Sequence, residues 1–254
     1  MKALITGNKS GLGRYLSEGF GGAGLDKETS FKEREKIKKG SFDVIIHCAF
    51  NSLQEVNSET LFPYIEDNVF LTKELTAIRH KKFIFFSSID VYPKNKTIHS
   101  EEEIIGLNSI KGIYGLTKLI SESIVGNYCK NYLILRGTAF LGPYSRKNSL
   151  IKIIEAKECD LTLTGDSEFN YVLHSDILNF LKVAIKRDLR GIYNLSSSKN
   201  ITISEIAKTL GKKVRFGEYQ YNTGKINNKK ISSIFSAFKK TSREAVDQFV
   251  KKEL

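Results

Sequence analysis

Through the first 140 residues, short apolar runs alternate with segments in which apolar residues recur at helical spacing. Lys2 to Ile5 is an apolar run closing at Gly7, and apolar positions 12, 15, 16 and 20 follow at the spacing of an amphipathic helix. The alternation then repeats. Val44 to Ala49 predicts a strand, Val69 to Ile78 a helix, Phe83 to Phe86 a strand, Ile113 to Tyr128 a helix and Tyr132 to Leu135 a strand. Strands that are apolar throughout, separated by helices, need cover on both faces, so the pattern predicts an α/β fold with a doubly wound parallel sheet.

After Pro143 the pattern loosens into a helix at Leu150 to Ala156, a short strand at Leu161 to Leu163 and a helix at Asp176 to Ile185. A strand at Ile192 to Leu195 and a helix at Ser204 to Leu210, N-capped by Thr202, come next. A last helix begins at Ser242, with Lys251 to Leu254 as its frayed end. We therefore divide the chain into a main domain, 1–148, and a small C-terminal lobe, 149–254, with segments returning to the main domain. Between Phe20 and Phe42 the expected second β-α unit is abbreviated. Gly21 to Leu25 is poor strand material, and Phe31 to Lys39 is a short, highly charged helix.

With 254 residues, one large α/β domain with a small lobe is what the length accommodates. A net charge of +12 could attract nucleic acid or anionic metabolites. The lysines are spread along the chain, and no recognition motif or aromatic-basic platform accompanies them, so nucleic acid is not an expected partner. Cys48, Cys129 and Cys159 are odd in number, far apart and without metal-ligand spacing, which predicts a reducing compartment and no metal site. The N-terminus reaches a turn too soon for a signal peptide, and no apolar run approaches the roughly 20 residues that span a bilayer. A cytoplasmic protein without membrane partners is the expectation.

Three motifs carry candidate chemistry. The turn Thr6-Gly7-Asn8-Lys9-Ser10-Gly11-Leu12-Gly13 falls between the first strand and first helix, where glycines allow close backbone approach and the helix N-terminus attracts a pyrophosphate. An acidic residue about 20 positions on is expected to hold a ribose, and Asp26 is the candidate. Tyr114 and Lys118 lie four apart on a helix, hence on one face, where the ammonium can stabilise a phenolate and tune the phenol for proton transfer to an alcohol or ketone. Ser88, just past a strand end, can hydrogen-bond the same oxygen. Each motif alone is weak, since an isolated Tyr-x-x-x-Lys pair is usually a solvated helix face.

In this order the motifs resemble the short-chain dehydrogenase/reductase superfamily, in its extended NAD-dependent epimerase/dehydratase branch acting on nucleotide-activated sugars. The resemblance runs through Asp43 to Ala49, Asn68-Val69 opening a helix, Phe86 to Tyr92, Tyr114 to Lys118, Leu135 to Thr138, Gly142-Pro143, Tyr171 to Asp176 and Gly191 to Leu195. It implies a Rossmann-like fold and NAD or NADP as cofactor, bound by Gly7, Asn8, Ser10, Gly11, Leu12, Gly13, Asp26, Cys48, Ala49, Asn68, Tyr114 and Lys118. It also implies Ser88, Tyr114 and Lys118 as catalytic residues, a nucleotide sugar bound by the C-terminal lobe, and a homodimer through the helices around Val69 and Tyr114.

The departures from the family pattern restrict the reaction. Sugar dehydratases of the branch carry an Asp-Glu pair where this chain has Ile89 and Asp90, so the resemblance points to an epimerase or a ketoreductase rather than a dehydratase. Asp90 is a candidate catalytic proton shuttle, or a turn aspartate capping the strand end. His174 either orients a loop or donates a second proton. Ala139 replaces the usual substrate-contacting Asn, and the glycine spacing matches the smaller single-domain branch. Lys9 and Lys27 favour a 2′-phosphate while Asp26 repels it, leaving NAD and NADP both open. The alternative is a non-catalytic NAD(P)-sensing regulator of the same fold, although such relatives tend to lack the tyrosine and lysine.

Overall fold

The computed structural model describes residues 1–53 and 55–253, so Leu254 of the expected frayed end lies outside the described residues. The chain runs through β1 (Ala3–Thr6), α1 (Gly11–Phe20), β2 (Ala23–Leu25), α2 (Phe31–Lys38), β3 (Ser41–His47), α3 (Leu61–Ile65), α4 (Leu71–Thr76), β4 (Arg79–Ser88) and β5 (Ile98–His99). Next come α5 (Ile113–Tyr128), β6 (Tyr132–Gly137), β7 (Ala139–Leu141), α6 (Ser149–Glu155), β8 (Glu158–Asp160), β9 (Glu168–Phe169), β10 (Tyr171–Leu173) and α7 (His174–Lys186). The remainder is β11 (Gly191–Leu195), β12 (Ile201–Thr202), α8 (Ile203–Thr209), β13 (Lys213–Arg215), β14 (Lys225–Ile226), α9 (Lys229–Ile234) and α10 (Ser242–Glu253).

Among the described residues the central sheet has six strands in the order β11-β6-β4-β3-β1-β2, and every neighbouring pair is parallel. Because strand side chains alternate between faces, Ala3, Ile5, Val44, Ile46, Ile84 and Phe86 bury one face under α1 and α7. Their neighbours Leu4, Ile45, Phe83 and Phe85 bury the other beneath α2, α4 and α5. This two-sided burial produces the continuous apolar runs. A further core, around Leu141, Leu150, Ile153, Ile203, Ile206 and Phe249, belongs to the segments after residue 138.

Three expectations need correction. Ala23–Leu25 does form a strand, in register with Leu4, Ile5 and Thr6, so the second β-α unit is present though only three residues wide. Gly22 permits it: a Cβ there would lie 2.4 Å from the Ala3 carbonyl oxygen, and its φ of 104° suits glycine. The strand expected at Leu161 to Leu163 lies instead at Glu158–Asp160, paired with β13. Leu161 and Leu163 alternate because both are buried in this further core, and Leu163 makes a single bridge to Tyr219. Asn68 does not open a helix. The helical stretch starts at Leu61, with Pro63 tolerated in its first turn, and Asn68 sits within a π-helical segment, Glu66–Phe70, that joins α3 to α4. The N-cap expected at Thr202 is present as a reciprocal capping box with Glu205.

Candidate active site

The strand order reverses at β1: β2 lies to one side and β3 to the other, so the helices leaving these strands diverge and open a crevice at the carboxyl ends of β1 and β3. A cavity of about 720 Å³ occupies this position. Thr6 ties its two sides together. Its hydroxyl accepts the Cys48 and Ala49 amides at 3.1 and 3.0 Å and lies 2.7 Å from His47 Nδ1. The other His47 nitrogen lies 3.0 Å from the Thr72 hydroxyl, and burial lowers the pKa of the ring to about 3, so it is neutral.

The glycine turn forms one wall. Gly7 and Gly11 adopt φ of 69° and 55°, and a Cβ on Gly13 would lie 2.3 Å from the Gly7 carbonyl oxygen, so only glycine lets the turn fold back onto α1. Ser10 caps α1 without a side-chain hydrogen bond, and its first turn holds no acidic residue. The helix therefore presents unneutralised N–H groups to an anion. Gly7, Ser10, Gly11, Leu12 and Gly13 line the cavity together with Asp26, Cys48 and Ala49. These residues fit a dinucleotide: a tight turn for a pyrophosphate, and a carboxylate beyond it at the end of β2.

Two residues expected to bind cofactor stand behind this wall. Asn8 packs against β2, where a Cβ on Gly24 would meet its side-chain nitrogen at 2.2 Å, and its Oδ1 is buried without a hydrogen-bond partner. Asn68 is buried as well, its Oδ1 accepting the Asn51 amide at 2.8 Å and its backbone carbonyl the Ser121 hydroxyl at 2.8 Å. It thus shapes the loop after β3. Asp26 commits Oδ1 to the Glu28 amide and the Thr29 hydroxyl in a turn. Lys27 pairs with Asp67 at 2.7 Å, and Arg34, which belongs to no sequence motif, also lines the cavity.

Ser88, Tyr114 and Lys118 line the same cavity. Ser88 ends β4, while Tyr114 and Lys118 occupy successive turns of α5. The buried Lys118 ammonium donates to the Phe86 carbonyl at 3.0 Å and lies 5.8 Å from the centre of the Tyr114 ring. Burial lowers the Lys118 pKa to about 8, opposed by Cys48 and Glu122. Burial pushes the Tyr114 phenol up and the Asp90 carboxylate adds to this, while the Ser88 hydroxyl interacts with the phenol and pulls it down. Tyr114 is therefore held as the neutral acid.

Asp90 lies outside the cavity lining. It sits in a 3₁₀ turn after β4, its Oδ2 accepting the Ser88 hydroxyl at 3.1 Å and its Oδ1 the Lys94 ammonium at 2.6 Å. His174 starts α7 instead of lying in a loop. It lines the cavity beside Phe140, and Gly142 packs against its buried, unpartnered Nδ1. Burial lowers its pKa to about 4. Ala139 also lines the cavity. Lys94 and Tyr221 escaped sequence analysis. Lys94 is one lysine among many, and Tyr221 reaches the surroundings of Tyr114 from 107 positions away in the chain.

A model of the family described as "NAD dependent epimerase/dehydratase family" matches residues 3–196. No curated protein matches the chain. Among solved structures, MoeE5 in complex with UDP-glucose and NAD is similar over 99% of this chain and 98% of its own, at 18% identity and a TM-score of 0.78. A dTDP-4-dehydrorhamnose reductase from Clostridium acetobutylicum is similar over 99% of both chains, at 16% identity and a TM-score of 0.78. UDP-glucuronic acid 4-epimerase from Bacillus cereus, solved with UDP-glucuronic acid and NAD, is similar over 100% of both chains, at 18% identity and a TM-score of 0.76. At these identities the likeness establishes the fold.

Proposed function

The chain belongs to the NAD dependent epimerase/dehydratase family, and from that premise we propose that it is an NAD(P)-dependent enzyme exchanging hydride at a hydroxyl or keto carbon of a nucleotide-activated sugar. The reaction is a 4-epimerisation or a ketoreduction. One observation carries the proposal: Ser88, Tyr114 and Lys118 line one cavity together with the glycine turn. The cofactor, NAD or NADP, supplies the hydride donor or acceptor when bound. Gly7, Gly11, Gly13 and the start of α1 hold its pyrophosphate, Asp26 its adenosine ribose and Lys118 the ribose nearer the reaction.

In the reductive direction Tyr114 protonates the developing alkoxide. Ser88 hydrogen-bonds the same oxygen, and Lys118 stabilises the phenolate left behind. Loss of the dehydratase acid at position 89, which is Ile, argues against water elimination. The segments from residue 149 onward hold the nucleotide. The exposed Phe62 and Phe70, and Tyr128 at the end of α5, lie on the helices proposed to join two copies in a homodimer. Among the described residues no helix is long and apolar enough to cross a membrane.

The test is calorimetric titration with NAD, NADH, NADP and NADPH, followed by nicotinamide absorbance and sugar interconversion across UDP- and dTDP-linked hexoses and 4-ketohexoses. Cofactor binding with turnover of at least one sugar nucleotide is expected. Binding without turnover across the panel, with Tyr114→Phe indistinguishable from wild type, would favour the regulator instead.

A further inference from the structure

Ser88 caps the 3₁₀ turn Ile89–Val91 by accepting the Asp90 amide at 3.1 Å, which fixes Asp90 directly beneath its hydroxyl. Tyr92, buried by its hydroxyl's contacts with Asn194 and Arg136 at 2.8 and 2.9 Å, holds the following backbone in place. Lys94 then folds back so that its ammonium meets Asp90 at 2.6 Å and faces the Tyr221 ring, 5.9 Å from the ring centre. The Asp90 and Lys94 side chains are 28% and 26% exposed, so this end of the series meets solvent. The Ser88 hydroxyl, the Asp90 carboxylate and the Lys94 ammonium are thus joined in series, Ser88 lines the same cavity as Tyr114, and the Tyr114 phenol senses both the Ser88 hydroxyl and the Asp90 carboxylate.

We propose that Ser88, Asp90 and Lys94 form a proton path that recharges Tyr114 from water, and that the site is therefore built for net ketoreduction. The inference rests on the proposed function. A closed epimerisation returns to Tyr114 the proton it took, so nothing has to enter from outside. Net reduction differs. The carbonyl gains a hydride from the reduced nicotinamide and a proton from Tyr114, so each turnover leaves a phenolate that needs a proton before the next. The Ser88 hydroxyl, which donates to Asp90 at rest, turns to give its proton to that phenolate and takes one from Asp90 as Asp90 receives one from Lys94; Lys94 takes a proton from water, and the hydroxide left behind goes to solvent. Both Asp90 oxygens are engaged in this series, so Asp90 passes a proton along rather than abstracting one from the sugar. Lys94 acts through Asp90 and is a positioning and relay residue.

Two measurements test the path. The first follows NAD(P)H consumption by stopped flow with a dTDP-4-ketohexose, in wild type, Lys94→Met, Lys94→Arg and Asp90→Asn. Lys94→Met should complete the first turnover near the wild-type rate. The steady state of Lys94→Met and Asp90→Asn should be slower by roughly tenfold or more, restored progressively by ammonium or imidazolium buffer, and Lys94→Arg, whose guanidinium pairs with Asp90 but does not release a proton, should be slow as well. First and later turnovers falling together without buffer rescue, or neither changing, would overturn the path. The second needs no turnover: the phenolate absorbance of Tyr114, obtained as the difference from Tyr114→Phe, is titrated with pH. Asp90, Tyr64, Tyr221 and Lys118 are the titratable groups facing the phenol, and Lys94 faces Asp90. Asp90→Asn should bring the phenolate in at lower pH. If wild type turns over no sugar nucleotide, the proposed function fails, and this titration still decides whether Asp90 is coupled to Tyr114; if it epimerises but reduces no ketosugar, the proposed function stands and the inference of net ketoreduction is overturned. An unmoved titration overturns the path.

Discussion

The Arg136 guanidinium lies two-pronged on the Glu122 carboxylate, with Nε at 3.0 and 3.2 Å from its two oxygens and Nη2 at 2.8 Å from Oε2. Both side chains are buried, at 4% and 5% exposure. The pair links β6 to α5 one turn beyond Lys118. Ser87, next to Ser88, donates to Glu122 at 2.6 Å, and Arg136 reaches Tyr92. The strand end, the α5 face and the turn bearing Asp90 are therefore all fastened to one buried ion pair.

Breaking that pair from one side should be costly. Glu122→Gln leaves a buried guanidinium without its countercharge, so a loss of about 3–5 kcal/mol in unfolding free energy is expected. The double variant Glu122→Leu with Arg136→Met removes both charges and should cost much less. Urea denaturation of the three proteins checks this. A single variant within about 0.5 kcal/mol of wild type would show that the pair is not holding the site together.

Stability should also fall in acid. His47 and His174 are buried and neutral, with pKa values lowered to about 3 and about 4 from an ordinary 6.5. The unfolded chain protonates both below about pH 6.5 while the native chain does not. Their contribution is thus complete above pH 6.5 and is lost as pH falls toward 4, at about 1.4 kcal/mol per pH unit for each histidine. Chemical denaturation at stepped pH gives the slope, and His47→Gln should reduce it. A flat profile between pH 6.5 and 4.5 would contradict the assignment.

Much of this architecture was legible because strands buried on both faces must be apolar throughout, and β1, β3, β4 and β6 announce themselves that way. β2 did not, since three residues squeezed past Ala3 by glycine carry no periodic signal. The π-helical turn at Asn68 was equally hidden, because a change of helical register leaves the apolar spacing almost unaltered. Tyr114 and Lys118 could be placed together because four residues on a helix fix a face. Lys94 and Tyr221 could not, since they reach the surroundings of Tyr114 through a loop and a distant segment.

The glycine turn gives a sharper prediction. Gly13→Val would force a side chain into the Gly7 carbonyl, from which even a Cβ is separated by only 2.3 Å. Backbone must shift there, and the turn can no longer cradle a pyrophosphate. Gly11→Val meets more space but needs a residue at φ 55°, a conformation a β-branched side chain resists. Calorimetry should find cofactor affinity lost in both variants. Affinity retained in Gly13→Val would remove the turn from the binding site.

Lys118 sets stability against function most directly. Its ammonium is buried, and its pKa of about 8 lies below the ordinary 10.5. Between these values the unfolded chain binds the extra proton, so this residue makes stability rise with pH from about 8 to 10.5, and below pH 8 its buried charge is a net cost. Lys118→Met keeps the aliphatic stem and removes the charge. Unfolding free energy at pH 7 should increase by on the order of 2 kcal/mol, and the rise above pH 8 should flatten. The same change withdraws the cation proposed to stabilise the Tyr114 phenolate, so turnover should fall by about 10²-fold or more, as in Tyr114→Phe. Tyr114→Phe, by contrast, leaves Lys118 charged and should keep the wild-type dependence of stability on pH. Paired denaturation and turnover measurements on the two variants separate these effects. A Lys118→Met protein less stable than wild type at pH 7 would mean that the bond to the Phe86 carbonyl outweighs the burial of the charge.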